Sequence, residues 1–295
     1  MRTALEKKRN KYRECSYRHG YSLVELLVAM AITLVVMAGV YKVYVTQQDS
    51  YLLQEQVAEM QQNARTAKYV LVKDIRMVGY NPKRKLNVGN FVTSFVPRLP
   101  GDGLDDADPD RTSTGFSSIA FTLDYNGDGV LDANFDEQIA FRVAGESLQR
   151  FDVDNNAWLT VVENIEALGF AYAFDADGDG NIDTHPDHPE YIIWAVDSDG
   201  GGTLDKNLDT NDDGLIDAAD SKDGVALPVE VAPTLEVALD KIRAVRIWIL
   251  AKTANEERGH SDTSTYVLAN QRVPANDGNR RYLVTTTVKC RNMSL

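Results

Sequence analysis

"HGYSLVELLVAMAITLVVMAGVY" occupies residues 19–41. From Leu26 to Tyr41 it carries no charge, and only Thr33 and Gly39 interrupt the apolar side chains. With Lys42 extended toward water the run reaches Val45, about 20 residues, enough to cross a hydrocarbon core of about 30 Å as a helix. Glu25 near its start is the exception, because a carboxylate at a membrane helix centre costs roughly 2.5–3.5 kcal/mol on insertion scales. Residues 1–20 hold seven Lys/Arg and two Glu, so the N-terminus is expected on the cytoplasmic side and the bulk of the chain outside. No A-x-A cleavage site follows the run; "YKVYVTQQDSY" does, which fits an uncut anchor. An uncut anchor explains the topology but neither Glu25 nor Gly20.

The 295 residues carry a net charge of -13, and the stretch after residue 20 is more acidic than the whole. Such a surface repels phosphate backbones, which argues against a nucleic-acid partner, and it suits divalent cations. Of the two cysteines, Cys15 lies in the basic segment and Cys290 near the end. Cys290 reads as a buried strand residue rather than a reactive thiol.

Together, "GYSLVEL", the basic leader before it and the apolar helix after it resemble the class III leader of type IV pilins and type II secretion pseudopilins. The resemblance implies cleavage after Gly20 by a prepilin peptidase, N-methylation at Tyr21, and a role for Glu25 in assembly. Departures are mild: Tyr21 stands for the commoner Phe, Ser22 for Thr and Val24 for Ile. A free α-amine has a pKa of about 7.7–8 and would be largely cationic. The terminal amine of a neighbouring subunit could therefore pair with a Glu25 carboxylate buried among helices.

The following stretch, residues 49–82, places Leu53, Val57, Met60, Ala64, Ala67, Leu71, Ile75 and Val78 at spacings of four and three. That is one stripe of an amphipathic helix, ended by Gly79 and Pro82. A helix over 21–78 would be about 87 Å long. A coiled-coil homodimer is the rival use of the stripe. "SYLLQEQVAEMQQNARTAKYVLVKDIRMVGY", with "IRAVRIWILAKT" and "RRYLVTTTVKCRN" near the end, resembles the PilW-type minor pilins. Residues 83–235 carry no such resemblance.

The expected fold is α+β: a long N-terminal helix packed on an antiparallel β-sheet head with calcium-binding loop insertions. The expected divisions are a cleaved leader (1–20), a membrane or assembly half-helix (21–45), an amphipathic half-helix (46–80) and an extracytoplasmic head (81–295). Strands are read at "SSIAFTLD", "EQIAFRVAG", "ESLQRFD", "NIEALGFAYAFD", "EYIIWAVD", "KIRAVRIWIL" and "RYLVTTTVKC", with one buried face. The stretch before them, "GNFVTSFVPRLPGDGLDDADPD", reads as loop, its Asp102–Asp110 cluster solvated.

Three segments share the pattern D-x-[DN]-x-D-G-x-x-D: "DYNGDGVLD" (124–132), "DADGDGNID" (175–183) and "DTNDDGLID" (209–217). Alternate oxygens converge because the loop winds round one point, and the sixth-position glycine permits the turn. The candidate ligands are Asp124, Asn126, Asp128, Val130 and Asp132 in the first loop. In the second they are Asp175, Asp177, Asp179, Asn181 and Asp183; in the third, Asp209, Asn211, Asp213, Leu215, Asp217 and Asp220. The seventh residue offers its backbone carbonyl and the ninth often acts through water. Such hard oxygens suit Ca²⁺, at the weak extracellular end of affinity, roughly 10⁻⁴ to 10⁻³ M.

The pattern resembles the EF-hand and dockerin loop but departs at the twelfth position, occupied by Phe135, Pro186 and Asp220. Asp136 or Glu137 could substitute in the first loop and Asp187 in the second. The competing reading is that Asp, Asn and Gly simply make turns. "DSDGGGTLD" (197–205) lacks a fifth-position ligand, and "DVDNNAWL" from Asp152 reads as a hairpin turn. His185 and His188 without a thiolate are weak evidence for zinc. No nucleophile elbow, zinc-protease helix or phosphate loop occurs, so no enzyme is read.

The leading functional reading is a structural minor pilin. Its partners would be other pilins, the prepilin peptidase and methyltransferase, and an inner-membrane assembly platform. It would sit first in the inner membrane and then in the pilus. The rivals are a minor pseudopilin of a type II secretion system, and a membrane-anchored calcium-dependent adhesin or hydrolase.

Overall fold

The apolar run and the amphipathic stripe form one α-helix, α1, Leu23–Ile75, of 53 residues. The computed structural model describes residues 20–82, 118–129, 137–152, 155, 157–198 and 202–294. The loop expected around Asp102–Asp110 lies outside the described residues, as do Val130, Asp132, Phe135 and Asp136. The chain divides into two units, Met1–Leu52 and Leu53–Leu295.

In the first unit every described residue is exposed. The helix is long and apolar enough to cross a membrane, with a window of mean hydropathy 2.5. The Thr33 hydroxyl donates to Ala29 O at 2.8 Å. This back-bond satisfies the one aliphatic hydroxyl between Leu26 and Tyr41 within the helix itself.

In the second unit the helix stripe is buried as its spacing predicts. Met60, Ala64, Ala67, Leu71, Ile75 and Val78 are buried, and Val57 packs against the same core. The helix gives way to a turn, with Gly79 at φ 71.

The strands follow in chain order: β1 (Ser118–Thr122), β2 (Gln138–Ala144), β3 (Ser147–Asp152), β4 (Ala157–Glu163), β5 (Ile165–Phe174), β6 (Ala195–Val196) and β7 (Thr203–Leu204). They continue with β8 (Lys206–Asn207), β9 (Val225–Ala226), β10 (Val237–Ala238), β11 (Ile242–Lys252), β12 (Thr265–Leu268), β13 (Gln271–Pro274) and β14 (Arg281–Lys289). One antiparallel sheet has the order β1-β2-β3-β4 and a larger one β14-β11-β5-β6-β8-β9. β7 pairs with β10, and β12 with β13. The α+β class is as expected.

Two expectations are corrected. "EYIIWAVD" is a strand only at Ala195–Val196. Before that its backbone serves loops: Ile192 bridges Thr184, and Ile193 N–H donates to Asp183 O at 3.3 Å. The larger sheet is also not buried on one face only. β5 and β11 are buried on both. On β5, Leu168, Phe170, Tyr172 and Phe174 enter the core shared with α1 and the smaller sheet, while Ala167, Ala171 and Ala173 face a second cluster with Trp194, Trp248 and Leu268. The small face is what admits the β12–β13 hairpin. A Cβ on Gly169 would stand 2.7 Å from the carbonyl carbon of Leu268.

Candidate functional site

Two places carry the residues singled out above: the start of α1 and the acidic loops of the head. Gly20, Tyr21 and Ser22 precede the helix without regular secondary structure, and Tyr21 is 86% exposed. Leu26 N–H donates to Ser22 O, which closes the first turn. Glu25 lies in that turn. The first-turn amides favour a carboxylate there electrostatically.

In the loops, the sixth-position glycine N–H donates to a carboxylate oxygen of the first aspartate every time. Gly129 donates to Asp124 Oδ2 at 2.9 Å, Gly180 to Asp175 Oδ2 at 3.2 Å and Gly214 to Asp209 Oδ2 at 2.7 Å. The "DSDGGGTLD" segment does the same, Gly202 to Asp197 Oδ2 at 2.9 Å. These glycines have φ of 80, 92, 82 and 86, the left-handed region that disfavours a side chain. The fifth residue's N–H returns to the third side chain: Asp128 to Asn126 at 2.7 Å, Asp179 to Asp177 at 3.0 Å, Asp213 to Asn211 at 3.3 Å. The shared spacing therefore produces a shared winding. The first-aspartate bond recurs in the fourth segment, of which residues 199–201 lie outside the described residues.

The loops differ in what else meets their oxygens. In the second, one carboxylate oxygen from each of Asp175, Asp177 and Asp179 lies within 4.8 Å of the others, the one such group of three acids among the described residues. Yet Arg243 Nε stands 3.4 Å from Asp175 Oδ2, so that carboxylate already has a cation beside it. Asp183 accepts from Ala176 N–H at 2.7 Å, and burial pushes its carboxyl up. Asn181 donates to the Asp179 carboxylate through side chain and backbone and holds it below its ordinary value. Asp187 is exposed.

In the third loop the twelfth-position Asp220 is buried and turned inward. It accepts from Thr210 N–H at 2.7 Å and Asp217 N–H at 2.9 Å, closing the loop on itself. Arg272 caps the Asp217 and Asp220 carbonyls from outside. Burial pushes the Asp209 carboxyl up. A hairpin from the second loop abuts the third: His185 Nε2 lies 3.1 Å from Asp212 Oδ1, and a Cβ on Gly214 would meet the Tyr191 ring at 2.6 Å. His185 is thus engaged with a carboxylate of the third loop, a contact that sequence spacing could not reveal.

The first loop has the most distinctive carboxylate. Asp124 is 0% exposed, and its Oδ1 has no hydrogen-bond partner among the described residues. Asn126 N–H points at Glu137 Oε1, 3.4 Å away, and Glu137 is also buried.

Residues 15–41 match the family described as the prokaryotic N-terminal methylation motif. Residues 206–292 match type IV pilus-assembly protein W. The chain carries a prepilin methylation motif and a PilW region. The PilW region starts at Lys206 and so includes the Asp209–Asp220 loop, which lies in the stretch without resemblance at the sequence level. Four chains of solved structures match. One is a type IV-like pilin TTHA1219 from Thermus thermophilus, 14% identical, covering 82% of this chain and 98% of that one at a TM-score of 0.36. No curated protein matches the chain.

Proposed function

We propose that the chain is a non-catalytic minor pilin of a type IV pilus whose head is stabilised by Ca²⁺. The observation that carries the first half is the Gly20–Tyr21–Glu25 boundary at the mouth of an exposed, membrane-length apolar helix, in a chain that ends in a PilW region. Removal of the basic segment after Gly20 creates the cationic terminus that a Glu25 carboxylate needs once helices surround it. Before assembly the chain sits in the inner membrane with its N-terminus cytoplasmic; afterwards α1 packs among other pilins and the head stays outside. The PilW region favours this reading over a secretion pseudopilin. Mass spectrometry of the membrane-fraction N-terminus tests it. A methylated Tyr21 start is expected; an intact Met1 start would remove both pilin readings.

The calcium half rests on the donor chemistry. Each loop presents only hard oxygens, wound by the same glycine bond, which is the set Ca²⁺ takes. Asp124 Oδ1, buried and without a hydrogen-bond partner among the described residues, is an oxygen that a cation would satisfy. Asp124, Asn126 and Asp128 would hold the ion in the first loop, Asp175, Asp177 and Asp179 in the second, and Asp209, Asn211 and Asp213 in the third. Bound, the ion supplies charge neutralisation and a cross-link between otherwise repelling carboxylates. Melting the full chain in detergent with Ca²⁺ and with chelator tests this. Equal melting temperatures would refute the calcium reading and leave the pilin reading intact.

A further inference from the structure

The first acidic loop is tied to the end of α1. Asp124 N–H donates to Tyr80 O at 2.8 Å, and Gly79 N–H donates to Thr122 O at 3.3 Å. Gly127 comes close enough to Pro82 that a Cβ there would stand 3.2 Å from its ring. Residues 79–82 therefore run directly against residues 122–127, and Val78 just before them is fully buried. A second contact reaches the same helix end, where Asn292 Nδ2 donates to Arg76 O at 3.3 Å.

The carboxylate at this junction is incomplete. Asp124 is out of contact with solvent, its Oδ2 is used by Gly129 N–H, and its Oδ1 meets no donor. A buried carboxylate oxygen without a partner is costly, and a cation beside it offsets that cost. The second loop, by contrast, has Arg243 beside its first aspartate. Ca²⁺ is thus needed most where the loop meets the helix.

We propose that Ca²⁺ held by Asp124, Asn126 and Asp128 acts as a clasp, locking the C-terminal end of α1 to the β1–β2 edge of the head. The clasp rests on the calcium reading above. With the ion bound, Asp124 is held and its backbone keeps the bond to Tyr80. Without it, the Asp124–Asp128 turn loosens and residues 79–82 open with it, while Asn292 stays on Arg76.

Hydrogen–deuterium exchange on the full chain in detergent tests the clasp, with Ca²⁺ uptake measured in parallel by equilibrium dialysis. At Ca²⁺ about 100-fold above Kd, amides that open only with the clasp are expected to exchange about 100-fold more slowly than in chelator. That slowing should appear in peptides covering both 76–82 and 118–129. Asp124→Asn should abolish it there and leave the calcium response of 175–183 and 209–220 unchanged. If that variant does not fold, Asp128→Asn, on a half-buried side chain, should give the same selective loss. Ca²⁺ uptake with protection of 118–129 but none at 76–82 would overturn the clasp and spare the calcium reading. Absence of any uptake would overturn both.

Discussion

Arg281 on β14 reaches across β11 to Glu166 on β5, with Nε 2.6 Å from Oε2 and Nη2 2.9 Å from Oε1. The same guanidinium donates to both oxygens of Asp277, at 2.7 and 2.8 Å. Its side chain is 1% exposed. Two forked pairs on one buried cation fasten the outer strand of the larger sheet, and only a planar guanidinium fits both. Arg281→Ala should therefore destabilise the head by about 2–4 kcal/mol, since two carboxylates lose their donors. Arg281→Lys should recover only part of this. Thermal melts of the three proteins in one detergent check the order.

The same network predicts the acid side of the stability curve. Hydrogen bonds from Arg281 hold the Asp277 carboxyl down from 3.8 to about 2. A depressed folded-state value contributes stability above the unfolded value and loses it as pH falls through the folded one. Stability should thus decline between about pH 4 and 2, and Asp277→Asn should flatten that limb. On the alkaline side, burial and the bond to Asp262 push the Tyr266 hydroxyl up to about 12. Its contribution is intact below about pH 10 and lost as pH rises through 12, so Tyr266→Phe should lessen the alkaline slope. Denaturant midpoints across the pH range check both.

Gly169 is a packing glycine rather than a turn glycine. A methyl there would overlap the backbone of Leu268, which is not free to move because Gln271 Nε2 anchors the hairpin to Leu168 O at 2.8 Å. Gly169→Ala should cost about 1–3 kcal/mol or more through overpacking. Gly145→Ala, with open space around it but φ 58, should show only the smaller cost of the left-handed backbone, about 1–2 kcal/mol. Comparing their melting temperatures separates the two effects.

Cys290 is buried just past β14, with its N–H on Arg243 O at 2.8 Å. Burial pushes its thiol up to about 12. Iodoacetamide should leave it unmodified in the folded chain at neutral pH and label it in denaturant. Labelling of the folded chain would show that the end of β14 opens.

The helix was legible in the sequence because its chemistry is one-dimensional. Sixteen or so apolar residues without charge, and then a stripe at three and four, admit only a helix that is first unshielded and then buried on one side. The residues of that stripe from Met60 to Val78 are those the core takes up. The loop winding was equally legible, since the first aspartate and sixth glycine are five residues apart in every copy and make the same bond. Strands β5 and β11 stood out as near-continuous apolar runs and β14 as a β-branched one, for the same local reason. The strand at "EYIIWAVD" did not survive because its backbone partners, Thr184 and Asp183, lie in a loop that only the folded head brings alongside.

Tertiary structure alone decided how the three acidic loops differ. Nothing near Asp175 in the chain announces Arg243, and nothing near Asp212 announces His185 except the fold that folds one loop onto the next. The same holds for Asp124, which is buried where its N–H meets Tyr80 O just past the end of α1. Local pattern sets which oxygens a loop can aim inward. Burial and long-range partners set which of those oxygens is left without a charge to meet, because both depend on chain segments that are distant in sequence.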